Sequence, residues 1–119
     1  MIKTIAFSVY PVSDLENAKA FYRDAVGLGE ATTLHDRWAE FDVGGTTFAL
    51  ATGGESLGMP AGSGLSVAFE TSDFDSAVEK LRASGAKVDD AFDGPTCRAV
   101  FARDIDGNRF ALHELKSEK

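Results

Sequence analysis

Ser13-Asp14-Leu15-Glu16-Asn17-Ala18 returns further along the chain as Ser72-Asp73-Phe74-Asp75-Ser76-Ala77, and Phe48-Ala49-Leu50 returns as Phe110-Ala111-Leu112. Residues 13 and 72 stand 59 apart, and residues 48 and 110 stand 62 apart. A nearly constant offset of half the chain marks a duplicated module with a short insertion. Two similar half-domains usually build a ligand site on the surface between them, so the repeat indicates which positions carry chemistry.

Working outward, residues 2–10 are rich in Ile, Phe, Val and Tyr and read as a strand. Ser13 is placed as a helix N-cap, with Glu16 three residues on as in a capping box. Leu15, Ala18, Tyr22, Ala25 and Val26 then recur at helical spacing, and Gly27 and Gly29 end the helix. Strands follow at Ala31–Leu34, Trp38–Val43 and Thr46–Ala51, the last two joined by the hairpin turn Gly44-Gly45. The second copy reads as strand Leu65–Glu70, a helix capped by Ser72 with Phe74, Ala77, Val78 and Leu81 on one face, and a short strand Ala86–Val88. A loop Asp89–Pro95 leads to a hairpin of Arg98–Arg103 and Asn108–Leu115, turning at Asp106-Gly107. Gly45 and Gly107 are again 62 apart. The expected fold class is α+β: two β-α-β-β-β modules, residues 2–52 and 65–115, with helices over 14–26 and 73–84. One domain spans 1–119, and the Gly-rich stretch 53–64 links its modules. The polar tail Lys116–Lys119 is expected to fray.

The chain has 119 residues, enough for one domain with a real core. Its formal net charge of −7 argues against nucleic acid and anionic membrane surfaces as partners, because both demand a positive face. No apolar run approaches the about 18–20 residues of a membrane span. The opening residues lack a signal-peptide core, and the single cysteine, Cys97, has no intrachain partner. These features predict a cytoplasmic protein.

Val12-Ser13-Asp14-Leu15, Ala18, Phe21-Tyr22-Arg23-Asp24 and Gly27-Leu28 resemble the opening helix signature of the glyoxalase / bleomycin-resistance / extradiol-dioxygenase superfamily, the vicinal oxygen chelate proteins. Asp104-Ile105-Asp106-Gly107-Asn108 resembles that superfamily's Asp-Pro-Asp-Gly-Asn hairpin, with Ile105 in place of Pro. The resemblance implies two modules related by a pseudo-twofold axis, whose mixed sheets form a U-shaped trough, often closed by a second subunit. In the metal-dependent members, the first and fourth strands of each module supply the ligands. Carried onto this chain, those positions are Phe7, Ala49, Ser66 and Ala111, which keep the repeat offsets of 59 and 62. Phe and Ala donate nothing, and a neutral serine hydroxyl is a poor primary ligand for Zn²⁺, Fe²⁺ or Ni²⁺. No metal and no cofactor are therefore expected. An alternative set built on His113 and Glu70 lies toward strand ends, and His35 reads as a loop-flanking surface histidine.

Strand parity gives the expected lining: Phe7, Thr47 and Ala49 from module one, and Ser66, Glu70, Arg109, Ala111 and His113 from module two. Trp38 and Glu40 share a face, but parity leaves open which one, and the same holds for Arg98 against Val100 and Phe101. Small alanines leave room, and Phe7 and Trp38 offer flat surfaces. This suits a small organic molecule with planar or apolar parts, held by polar groups at the rim. The superfamily includes proteins that sequester glycopeptide-like antibiotics unaltered, and an acidic binder suits a cationic drug. The expected function is metal-free binding of an organic ligand in the trough by a symmetric homodimer. The alternative is a glyoxalase-like lyase, isomerase or dioxygenase with displaced ligands or acid-base catalysis; its catalytic residues are not identified by the sequence. Cys97 has no local histidine partner, and no phosphate-binding loop is present.

Overall fold

The computed structural model describes residues 5–57 and 59–116. Strand β1 (Phe7–Pro11) leads into α1 (Leu15–Ala20), which continues as a π-helical segment Phe21–Val26. Strands β2 (Thr32–His35), β3 (Trp38–Val43) and β4 (Thr46–Ala51) complete the first module. A 3₁₀ turn at Gly54–Leu57 precedes β5 (Val67–Glu70), α2 (Phe74–Ala83), β6 (Lys87–Val88), β7 (Phe92–Asp93), β8 (Cys97–Arg103) and β9 (Arg109–Leu115). The two sheets run β1-β4-β3-β2 and β5-β9-β8-β6, with β7 paired to β8. In both, the edge strand that opens the module (β1 or β5) pairs in parallel and the remaining pairs are antiparallel, the same plan twice, as the repeat requires.

Several boundaries move. The part of the first strand at residues 2–4, and the end of the tail at 117–119, lie outside the described residues. Ser13 and Ser72 are not the caps: Asp14 and Asp73 are, their carboxylates accepting from the Asn17 and Ser76 amides at 2.9 and 3.2 Å. A carboxylate at this position also complements the positive end of the helix dipole. The first helix is not α-helical to its end; the Gly27 and Leu28 amides both reach back to the Tyr22 carbonyl. β5 begins two residues later than read, leaving Leu65 and Ser66 ahead of it. The Asp89–Pro95 segment contributes β7, a ninth strand among the described residues, which pairs only its two residues with β8. Gly44 and Gly45, at φ 60° and 88°, make the tight turn that two left-handed residues permit.

Alternation within the strands sorts the side chains into two faces. Tyr10, Phe41, Phe48 and Leu50 from the first sheet, and Phe69, Val100, Phe110 and Leu112 from the second, join Leu15, Tyr22, Phe74 and Leu81 of the helices in one core. Phe48 and Phe69 meet edge to face with centroids 5.2 Å apart, which joins the two halves directly. The helices thus cover one face of both sheets, and the molecule is a slab measuring 45 × 41 × 25 Å. Among the described residues no helix covers the opposite face, which is bare in that sense.

The modules are also joined by a polar staple. Asn108, fully buried, donates from Nδ2 to the Pro11 carbonyl and to Asp104, while its Oδ1 accepts from the Gly64 amide. Asp104 accepts from the Tyr22 hydroxyl at 2.9 Å and from the Asp106 and Asn108 amides. Ser13, freed from capping, donates its hydroxyl to Asp106 at 2.6 Å. A side chain at Gly64 would press on the Tyr10 ring, 2.7 Å from its ideal Cβ. The Asp104–Asn108 hairpin therefore holds the second module to the start of the first helix and to the linker.

The chain has two tyrosines, both in this core. Burial pushes Tyr10 up to about 12, and burial together with the adjacent Asp104 carboxylate pushes Tyr22 higher still. In the unfolded chain tyrosine ionises near pH 10, at about 10. The unfolded state therefore releases protons first: stability is complete below about pH 10 and falls as pH rises through about 12. Near-ultraviolet absorbance should show no tyrosinate step at pH 10 in the folded protein, followed by ionisation together with unfolding. A half-ionised signal in folded protein at pH 10 would contradict the burial of both rings.

Candidate functional site

Strand register fixes which side chains share the face turned away from the helices. In the first sheet, register places Phe7 beside Thr47, Val9 beside Ala49, and Ala49 opposite Glu40; Ala51 lies opposite Trp38. Trp38 and Glu40 therefore point to the bare face, which settles what parity left open. Phe7, 45 % exposed, meets Trp38 edge to face with centroids 5.3 Å apart. The Trp38 indole N–H donates to Glu40 Oε2 at 2.8 Å, so one oxygen of this carboxylate is engaged within its own sheet. Ala49 is fully covered by these neighbours.

In the second sheet, Ala68 pairs with Ala111 and Glu70 with His113. Phe101 lies opposite Ala111, Ala99 opposite His113, and Arg103 opposite Arg109. Phe92 of β7 lies opposite Ala99. Phe101 and Phe92 are 47 % and 59 % exposed, an aromatic wall that parity alone leaves unoriented. The cross-strand register of β8 was the missing signal, since parity within one strand cannot fix its phase. Arg98 takes the other face: it pairs with Asp75 and Glu114 and stacks over Phe74 at 4.6 Å.

Glu70 and His113 are in contact. His113 Nδ1 lies 2.5 Å from Glu70 Oε1, and the Leu115 amide donates to Glu70 Oε2 at 2.7 Å. The hydrogen bond from His113, and then that from Leu115, hold the Glu70 carboxyl below the usual carboxylate range. Arg109 is exposed on the same face, and its carbonyl accepts from the Tyr10 hydroxyl.

The two halves of the lining meet across the free edges of β1 and β5. Phe7 and Ser66 line one cavity of about 470 Å³ there, and Thr47 and Glu70 line another of about 410 Å³. Trp38, Ala49, Arg109, Ala111 and His113 line neither; they lie on the broader sheet faces to either side.

The four positions Phe7, Ala49, Ser66 and Ala111 do not fit a catalytic divalent ion, since the Ser66 hydroxyl is the one donor side chain among them. Among the described residues no group of three His, Cys, Asp or Glu side chains is gathered to hold a metal. Among the described residues no third His, Cys, Asp or Glu joins Glu70 and His113, and His35 is exposed beside Asp36 and the Arg37 amide. No helix among the described residues is long and apolar enough to cross a membrane.

The comparison with curated proteins gives no match. Among solved structures, the chain is similar to TnmS3, an antibiotic binding protein from Streptomyces sp. CB03234, with 30 % identity over 97 % of this chain and 98 % of that one, at a TM-score of 0.78. It is similar also to a glyoxalase/bleomycin resistance protein from the same organism, with 32 % identity over 92 % and 98 % of the chains and a TM-score of 0.73. The fosfomycin resistance protein FosX from Listeria monocytogenes, in complex with Mn(II) and sulfate, shares the fold at 19 % identity over 98 % and 93 % of the chains, with a TM-score of 0.78. Residues 4–112 match the family described as the Glyoxalase/Bleomycin resistance protein/Dioxygenase superfamily, and the chain belongs to it.

Proposed function

We propose that the bare sheet face of this single domain binds a small organic molecule with an aromatic portion, without a metal bridge. The observation that carries this reading is the grouping of aromatic side chains beside alanines: Phe7, about half exposed, with part-buried Trp38 on one sheet, and exposed Phe92 and Phe101 on the other. Aromatic faces beside small residues supply flat contact area and room for a ring. The likeness to an antibiotic binding protein over almost the whole chain supports the same reading. In it, Arg109, Glu70 and His113 orient the ligand, and Thr47 and Ser66 lie where the two sheets meet.

Enlarging Ala111 tests the site. Ala111→Leu adds volume beside Phe101 on the bare face, on the side of β9 away from the core. It should lower affinity at least about tenfold for any aromatic ligand found by screening, and leave thermal stability within a few degrees. A ligand that binds parent and variant equally places the site elsewhere.

The same face leads us to expect a symmetric homodimer. Phe7, Phe92, Phe101 and Leu115 are all about half exposed or more, a larger apolar display than a soluble monomer ordinarily keeps. Light scattering at micromolar concentration should give twice the 12.7 kDa chain mass. A monomer under those conditions refutes the pairing.

The contact between Glu70 and His113 favours a second reading, an enzyme using acid-base catalysis. Metal content and turnover separate the two. One tightly bound transition-metal ion per chain, or conversion of the bound ligand, decides for the enzyme.

A further inference from the structure

Each sheet ends on an unpaired edge at the module junction: β1 pairs with β4 alone and β5 with β9 alone. Two hydrogen bonds fix which backbone groups face outward. The Val12 amide donates to the Ala51 carbonyl, so Ser8, Tyr10 and Val12 turn their backbone groups toward β4, and Phe7, Val9 and Pro11 turn theirs away. The Thr71 amide donates to the His113 carbonyl, which likewise turns Ala68 and Glu70 away from β9. The Tyr10 hydroxyl ties the two strands at one point: it accepts from the Val67 amide at 2.7 Å and donates to the Arg109 carbonyl. Among the described residues no backbone hydrogen bond joins β1 to β5. The cavities of about 470 and 410 Å³ lie along these edges and share Ser8 and Val67.

The Pro11 carbonyl shows what this edge takes. It accepts from the Gly62 amide at 3.2 Å and from Asn108 Nδ2 at 3.0 Å, so the linker already supplies an amide donor at one end of the outward row. Farther along, the outward groups of Val9 and Phe7 meet no backbone partner outside their own sheet among the described residues. No charged residue lines the larger cavity. Glu70 lines the smaller, and both its oxygens are engaged, by His113 and by the Leu115 amide. Rows of amide donors and acceptors between uncharged walls match a neutral chain of secondary amides, which offers both kinds of partner at strand spacing. We propose that the junction is a strand-addition site: the ligand of the aromatic face carries an extended amide chain, which pairs with the outward groups of Phe7, Val9 and Ala68. Phe7 lines the larger cavity and also meets Trp38, so a ring on that chain reaches the aromatic pair from the same place.

This inference rests on the aromatic-binding reading, and two probes separate the fates of both. One is N-acetyl-Ala-Phe-Ala methylamide; the other is the same peptide with every backbone nitrogen methylated, which keeps the ring and the carbonyls but has no donor. Affinity is measured by calorimetry, and hydrogen exchange of the protein's backbone amides by NMR. The unmethylated peptide should bind at least about tenfold more tightly and slow exchange at Val9 and Ala68 at least about tenfold. The Ser8 and Phe69 amides, already within the ladders, should not change. Val9→Pro removes one outward donor from an edge strand, where proline is tolerated, and should lower the preference for the unmethylated peptide severalfold. Exchange in the unaltered chain decides the matter should this variant not fold. Equal affinity for the two peptides, with exchange at Val9 and Ala68 unchanged, overturns the strand-addition site and leaves the aromatic face standing. Failure of both to bind overturns it and counts against the aromatic face as well. Slow exchange at Val9 and Ala68 without peptide also overturns it: protection that grows with protein concentration assigns the edges to a second copy, and protection independent of concentration assigns them to the chain itself.

Discussion

Asn108→Ala is expected to lower the unfolding free energy by about 3–5 kcal/mol, a large share of a typical domain's stability. The side chain has no exposed surface and engages three separate segments. Its loss leaves the half-buried Gly64 amide without its partner and removes one hydrogen bond each from Asp104 and from the Pro11 carbonyl, which keeps only the Gly62 amide at 3.2 Å. Each abandoned group costs about 1–3 kcal/mol, because water cannot replace what the alanine removes. Asp104 keeps the Tyr22 hydroxyl, which limits the total. Urea denaturation should show the midpoint falling with little change in slope. A loss below about 1 kcal/mol would mean that the hairpin decorates the junction and does not hold it.

Tyr22→Ala should cost about 5 kcal/mol, the upper end for a buried aromatic. The ring lies within 5.1–6.5 Å of Tyr10, Phe21, Phe41, Phe48, Phe69 and Phe110, centroid to centroid. It touches rings of both sheets, so the cavity opens where neither can close it alone. Tyr22→Phe keeps the ring and removes the hydroxyl from Asp104, and should cost about 1–2 kcal/mol. The same urea titration compares the two. If Phe and Ala cost the same, the hydrogen bond dominates and the packing argument is wrong.

The topology was legible because a repeat states it twice. Gly44-Gly45 and Asp106-Gly107 fixed two hairpins, and parity then put Phe7, Ala49, Glu70, Ala111 and His113 on one face. What stayed hidden depends on partners far away in sequence. Ser13 looks like a cap until Asp106, 93 residues later, takes its hydroxyl. Asn108 reads as the opening residue of the return strand until Pro11 and Gly64 reach it. Phe101 and Trp38 could not be oriented because alternation gives relative facing within a strand, and only register against β9 and β4 gives the absolute one. The β7 pairing was missed because two residues carry no periodicity. The π-helical segment leaves the 3.6-residue pattern of Leu15, Ala18, Tyr22 and Ala25 almost unchanged, so spacing alone could not separate it from an α-helix.

The chain has one tryptophan, and it stands on the bare face beside Phe7, while both tyrosines are shut in the core. Indole emission therefore reports this face, undiluted by signal from the interior. Quenching or a spectral shift on adding a small molecule reads occupancy beside Phe7 directly, with no label attached. The molecule thus carries a built-in optical sensor for its own proposed ligand.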